Sequence, residues 1–391
     1  MKILFTSHTA NFSKFNYSLL KFFYENGHEV HYASMNEEEI IGKEFCTKIF
    51  SVPFSRSPFS FNNIKAIKQL KKIIDNEKYD LIHTHTPMGS VDTRIAASKA
   101  RKNGCKVLYT AHGFHFFKGA PKINWILYYT IEKLLSSRTD CILTINDEDY
   151  QTAVNKKFRC AIRKIPGVGY NEKRFFKYDD DKKKQLKNKL GYTEDDFILL
   201  CVAEFTKNKN QIFLIKAVEQ LKQAIPNIKL LLVGKGTCLE ECKDYVENKN
   251  LQNEIDFLGY RKDVEDLYNI SNILVTASLR EGLAVNIMEA EACGLPVICS
   301  NTRGQRDLVK NNKNGFFYET NNLSDFIKKV DILHSDLEKY KEYSENNIKN
   351  ATNYTSEVAL TVTKGIYREF IRLWKQYTWL QFCHHFLFLW F

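Results

Sequence analysis

Hydrophobic positions along the 391-residue chain fall into short unbroken runs separated by longer amphipathic stretches. Residues 2–6, 28–33, 80–82, 105–110 and 141–145 are such runs, too short for buried helices. Each predicts a strand covered on both faces, as in a parallel sheet. Helical periodicity fills the gaps at about 16–25, 64–74 and 125–136. Ile64, Ile67, Leu70 and Ile74 form the apolar stripe of the second. The pattern then repeats. Residues 197–203, 229–233, 255–258, 273–276, 297–299 and 316–318 read as strands, and a helix starts at Gln211. Two successive β-α-β series predict an α/β chain of two Rossmann-like, doubly wound domains.

One stretch departs from this plain alternation. Residues 278–300 read SLREGLAVNIMEAEACGLPVICS. Leu283, Ile287 and Ala290 lie on one face of a helix, which Gly294 and Pro296 end. Glu281 sits in the loop before that helix, beside Gly282, and Glu289 lies inside it. A glycine-containing loop leading into a helix start presents free N–H groups to an anion such as a phosphate. Carboxylates beside such a site suit hydroxyl donors, as on a ribose and a sugar. Two solvated glutamates on an ordinary α/β unit would give the same spacing.

The full string, REGLAVNIMEAEACGLPVICSN, resembles the E-x7-E signature of retaining GT-B glycosyltransferases of family 4. That resemblance implies two domains facing a cleft. It implies that Glu281 contacts a donor sugar and Glu289 the ribose of the nucleotide. The backbone amides after Gly282, at Leu283 and Ala284, would hold the diphosphate. In the family, the loop after the first strand of the second domain supplies an Arg and a Lys to the diphosphate. Here Lys209 matches the Lys, Glu204 stands at the Arg position, and Lys207 or a residue of the first domain is the candidate to compensate. The segment Tyr260-Arg261-Lys262-Asp263-Val264 resembles the one that surrounds the base, which implicates Arg261. The string TAHGFHFFKG resembles a loop whose histidine faces the donor sugar. That role goes to His112, with His115 the competitor. Phe114, Phe116 and Phe117 are either core residues or a greasy lip near a lipid.

Composition narrows the partners. Net charge is +11, and roughly +10 of it lies before Pro166. A basic first half implies an anionic partner. No arginine-rich run or nucleic-acid motif accompanies it, so nucleic acid is excluded and an anionic membrane surface is favoured. The loop at 7–14 lacks the glycines of a dinucleotide site, which argues against an NAD enzyme. The 10 cysteines include no C-x-x-C, so neither a disulfide framework nor a zinc site is expected. Asp147 and Asp149 form an Asp-x-Asp pair. Asn146 before them is a good N-cap, so the pair reads as a helix start and no metal is expected. His83 and His85 lack a third ligand. No cofactor is expected.

The boundaries expected are 1–165 for an acceptor-binding domain, 166–191 for a linker and 192–350 for a nucleotide-sugar domain. A helix at 351–370 is expected to return to the first domain. Residues 371–391 form an aromatic tail, read as an interfacial anchor, a helix packed on the first domain, or a non-native extension. The function implied is transfer of a hexose or N-acetylhexosamine from a UDP-sugar to a polyprenyl-diphosphate-linked saccharide. Such an enzyme would be cytoplasmic and peripheral on the inner face of the plasma membrane, and would serve capsule or exopolysaccharide assembly. No residue stands out as a covalent nucleophile, so a front-face mechanism is the working reading. A UDP-sugar 2-epimerase of the same architecture and a non-catalytic carbohydrate- or lipid-binding derivative are the alternatives.

Overall fold

A computed structural model describes residues 1–371. The tail at 372–391 lies outside the described residues; Ile371, its first neighbour, is buried. The chain forms two compact units. Unit 1 comprises Met1–Val168 together with the chain from Glu357 on, and unit 2 is Gly169–Ser356.

Unit 1 is built on a seven-stranded sheet. Its strands are β1 (Lys2–Thr6), β2 (Glu29–Ser34), β3 (Lys48–Ser51), β4 (Leu81–His85), β5 (Lys106–Ala111), β6 (Cys141–Thr144) and β7 (Ala161–Lys164). They run parallel in the order β3-β2-β1-β4-β5-β6-β7. The order reverses between β1 and β4, which makes a topological switch point there. Helices α1 (Tyr17–Glu25), α2 (Phe61–Glu77) and α3 (Pro87–Ala96) provide the first crossovers. Ala66, Leu70 and Ile74 of α2 pack with Leu4, Ile82 and Val107 of the strands. Of the stripe expected from the sequence, Leu70 and Ile74 are buried and Ile67 partly so, but Ile64 is exposed and Ala66 takes its place, in a helix that starts three residues earlier. Ser60 caps the start, its side chain accepting from Asn62 N–H.

Unit 2 carries a six-stranded parallel sheet in the order β10-β9-β8-β11-β12-β13. The strands are β8 (Phe197–Val202), β9 (Ile228–Val233), β10 (Ile255–Gly259), β11 (Ile273–Thr276), β12 (Val297–Ser300) and β13 (Gly315–Tyr318). Cores form on both faces: Leu199, Leu230 and Ile273 on one, and Leu200, Leu231 and Leu274 on the other. This two-sided burial is why the strands read as continuous apolar runs. The switch point lies between β8 and β11.

Two local expectations change. The strand expected at 80–82 runs further, and β4 continues through His85. His83 is fully buried in it because both ring nitrogens have partners: Tyr367 OH at 2.5 Å and Thr110 Oγ1 at 2.8 Å. Within 166–191, read as a linker, a helix spans Asp180–Lys189, and the chain from Gly169 on belongs to unit 2. Asp179 caps it, acids open it and lysines close it, in keeping with the helix dipole. Leu186 and, at its C-cap, Leu190 pack on the core, and the rest of the helix is charged or polar, so no apolar stripe betrayed it.

Candidate active site

The helix Val285–Ala292 starts just beyond the carboxyl end of β11, and Gly294 ends it with φ +76°. Ile287, Met288 and Ala290 are buried under it. Its amino end is free of side-chain caps. Among the described residues, no acceptor meets the N–H of Leu283 or Ala284. Donors left open at a helix start are what an anion would take.

The loop before this helix is held from two sides. Leu279 N–H donates to Asn208 O (2.8 Å), and Asn208 Nδ2 donates to Arg280 O (3.0 Å). Arg303 Nε donates to the carbonyl of Glu281 (3.2 Å). Gly304 lies against Gly282: a Cβ there would sit 2.3 Å from Gly282 O. Beneath the loop, Gln305 is fully buried. It donates to Thr276 Oγ1 (2.9 Å) and accepts from Ser300 Oγ (2.9 Å) and Thr302 Oγ1 (3.0 Å). Sequence reasoning did not single out Gln305, Asn208 or Arg303: Asn208 and Arg303 donate to backbone carbonyls 72 and 22 positions away, and Gln305 joins side chains 3, 5 and 29 positions away.

The structure brings Lys209 and Glu281 together: Lys209 Nζ pairs with Glu281 Oε1. Glu289 lies one turn into the helix and is half-buried. Tyr268 OH donates to its Oε2 at 2.9 Å. Burial pushes the Glu289 carboxyl up to about 7, against the Tyr268 hydrogen bond and the Arg174 charge, both of which pull it down. Asn286, between them, donates from Nδ2 to Val202 O (3.1 Å) and so ties the helix to the end of β8. Tyr268 and Arg174 carried no local signal in the sequence.

The other unit 2 candidates are less concentrated. Lys207 is exposed and, among the described residues, in no ion pair. Glu204 is exposed too, and only its carbonyl is engaged, accepting from Gln211 Nε2 (3.0 Å). Solvent therefore screens that carboxylate. Arg261 is clamped by Asp263, with Nε to Oδ1 at 2.8 Å and the other nitrogen to Oδ2 at 2.6 Å. Its guanidinium would have to share or leave that partner to meet a nucleotide.

In unit 1, His112 follows β5, and its Nε2 lies 3.1 Å from His85 Nδ1. Phe12 meets the ring edge-on at 4.6 Å. Burial lowers the pKa of His112 to about 3, and that of His83 likewise to about 3 with help from the His112 charge. Both rings are neutral at pH 7. His115 stands apart, stacked on Tyr128 at 4.8 Å. Phe114 and Phe116 are core residues, stacked at 4.7 Å, while Phe117 is half-buried. The loop is pinned by the acids of the helix Asp147–Asn155. Asp149 Oδ2 accepts from Phe114 N–H and Asn146 Nδ2, each at 2.9 Å, and Glu148 Oε1 accepts from Lys118 N–H (2.9 Å). Asp147 pairs with Lys164 at 2.6 Å.

A third acidic group, Glu29 with His31 and Glu77, has ligand atoms within 4.8 Å of one another. Lys2 bonds Glu29 and Glu77, and Lys48 bonds Glu77, so lysine ammonium groups take the place a cation would need.

Two parallel, doubly wound units, one with paired glutamates around an open helix start, define a glycosyltransferase of the GT-B architecture. Residues 182–350 match the glycosyl transferases group 1 family, and residues 2–146 match the glycosyl transferase 4-like family. The chain is 37% identical over 372 residues to EpsD of Bacillus subtilis (strain 168), a protein named for glycosyltransferase activity, covering 95% of this chain and 97% of that one. It is 29% identical over 320 residues to an Escherichia coli UDP-Gal:alpha-D-GlcNAc-diphosphoundecaprenol alpha-1,3-galactosyltransferase, covering 80% and 81%. Among solved structures, Anabaena HepE in complex with UDP and glucose superposes with a TM-score of 0.75 at 19% identity, covering 94% and 99%. The chain belongs to the group 1, 4-like glycosyltransferases.

Proposed function

We propose that this glycosyltransferase moves a hexosyl or N-acetylhexosaminyl group from a UDP-sugar to a lipid-linked saccharide, with retention, in cell-surface polysaccharide assembly. The observation that carries the reading is the Lys209–Glu281 pair beside the open amino end of the helix that holds Glu289. In this reading Glu289 binds ribose hydroxyls, and the N–H groups of Leu283 and Ala284 bind the diphosphate. Glu281 binds the transferring sugar, and His112 of unit 1 is assigned to the same sugar. Lys207 and Arg261 are secondary donor contacts. A lipid-diphosphate acceptor is supported by the substrate named for the Escherichia coli relative, and a UDP donor by that relative and by the UDP bound to HepE.

In the reaction, the bond between the anomeric carbon and the β-phosphate oxygen breaks. A bond from that carbon to the acceptor oxygen forms on the same face. The acceptor proton passes to the departing phosphate, and UDP leaves. Negative charge grows on the diphosphate as the bond breaks, and Lys209 and the helix-start amides stabilise it. Neutral His112 donates or accepts a hydrogen bond without adding charge.

The test is UDP release from a panel of UDP-sugars, with and without a polyprenyl-diphosphate saccharide. Release that depends on the lipid acceptor is expected. UDP-sugar interconversion with no acceptor present would instead mark an epimerase. Absence of both reactions across the panel would leave a binding protein.

A further inference from the structure

Helix α2 opens on a surface that folding alone does not explain. Phe59 and Phe61 are 81% and 82% exposed, and Ile64 is 53% exposed. Single exposed apolar residues are ordinary, but two nearly bare phenylalanines two positions apart are not. The segment that carries them is firmly built. Val52 and Phe54 anchor it in the core. Asn63, buried at the base, accepts from Ser55 N–H (3.2 Å) and donates to Ser57 O (2.8 Å). The rings are therefore held outward by a fixed turn.

The charge around them has one sign. From Arg56 to Ile74 the sequence holds Arg56, Lys65, Lys68, Lys71 and Lys72, and no acid. Phe61, Lys65, Lys68 and Lys72 recur at helical spacing on the exposed face, opposite Ala66, Leu70 and Ile74. The neighbouring α3 packs against both α2 and the helix Thr130–Leu135. The helical run leading into the latter exposes Ile123 (61%) and Ile126 (68%) beside Lys122. The patch also lies near the carboxyl ends of the unit 1 strands: Arg56 is close enough to His8, just past β1, for its charge to add to burial in disfavouring protonation of that ring.

We infer that this face of unit 1 docks on an anionic bilayer, with Phe59, Phe61 and Ile64 entering the headgroup boundary and Arg56, Lys65 and Lys68 pairing with lipid phosphates. Aromatic rings backed by cations are the chemistry of an interfacial contact, in which the rings leave water and the ammonium groups stay in it. The inference rests on the proposed lipid-linked acceptor, whose carrier would lie in that same bilayer.

The experiment sediments the full-length chain with vesicles of phosphatidylcholine alone, and of equal parts phosphatidylcholine and phosphatidylglycerol. Binding to the anionic vesicles is expected, with about tenfold or greater loss in the Phe59→Ser/Phe61→Ser variant. The Lys65→Glu/Lys68→Glu variant should lose the preference for anionic vesicles. As a direct readout, the photoreactive p-benzoylphenylalanine in place of Phe59 should form adducts with lipid. Adducts joining two copies of the chain would mark a self-interface and overturn the inference. Unchanged vesicle binding by the serine variant, with no lipid adduct, would overturn it too. No sugar nucleotide is present, so this experiment can fail while acceptor-dependent UDP release succeeds, and the reverse.

Discussion

Among single residues, Glu281 is the most exposed to test. Its partner Lys209 keeps a quarter of its side-chain surface, and Glu281 about an eighth, so water reaches the pair. Removing the Glu281 charge therefore strands no deeply buried cation. Glu281→Gln should leave the melting temperature nearly unchanged. It should lower UDP release by about tenfold or more, the worth of one charge-assisted hydrogen bond gained in the transition state. Turnover equal to wild type would remove Glu281 from the site. The histidines can be separated in the same assay. His112 touches His85 and Phe12, whereas His115 stacks on Tyr128. His112→Ala should impair transfer far more than UDP binding by calorimetry, and His115→Ala should impair neither selectively. The opposite ranking would make His115 the functional ring.

Helices and loops carry the precision of the site, and this is where the sequence was legible in part. The motif helix, its glycine stop and the strands around it were readable because two-sided burial and helical periodicity are local signals. So was the role of Asn146 as an N-cap, its Oδ1 accepting from Asp149 N–H at 2.8 Å. The supports were not. Gln305 joins Thr276, Ser300 and Thr302, and Asp149 reaches Phe114, through contacts that exist only after folding. The helix Asp180–Lys189 was hidden because its one apolar residue, Leu186, makes no stripe. Gly304 is a similar case: it reads as an ordinary glycine, yet it lets its helix lie on the backbone of Gly282. Gly304→Ala should force that loop and the helix Arg303–Leu308 apart. A cost of about 1–3 kcal/mol is expected, as for overpacking. UDP affinity should fall with it, because Gly282 leads into the open amides. A variant with wild-type melting temperature and wild-type UDP affinity would show that the close approach relaxes without consequence.

At the scale of the molecule, the two units should respond to pH in opposite directions. In unit 1, His83, His85 and His112 all have pKa values depressed by burial, to about 3 for His83 and His112, against 6.5 when unfolded. Between those values the unfolded chain binds protons that the folded unit refuses. Stability therefore rises with pH across that window and is lost as pH falls below about 6.5. Asp92, raised to about 7 by burial, works the other way, but it is one group against three. In unit 2, burial raises Glu289 to about 7 and Glu291 to about 8, from 4.5 unfolded. Here the folded unit holds protons that the unfolded chain has released, so stability falls as pH rises from about 4.5 to 8. Glu291 is the deeper of the two, fully buried and bonded by Asn314 and Asn350 at 2.9 Å each. Each shift corresponds to an effect on the order of a few kcal/mol. Hydrogen exchange read by mass spectrometry, corrected for the intrinsic pH dependence of exchange, resolves the units by peptide. Peptides from β4 and β5 should lose protection as pH drops from about 7 to 5, and peptides from β11 and β12 as it climbs from about 6 to 8.5. A unit 2 that gains protection on the alkaline side would mean that Glu289 and Glu291 are ionised in the fold, and the opposed response would not exist.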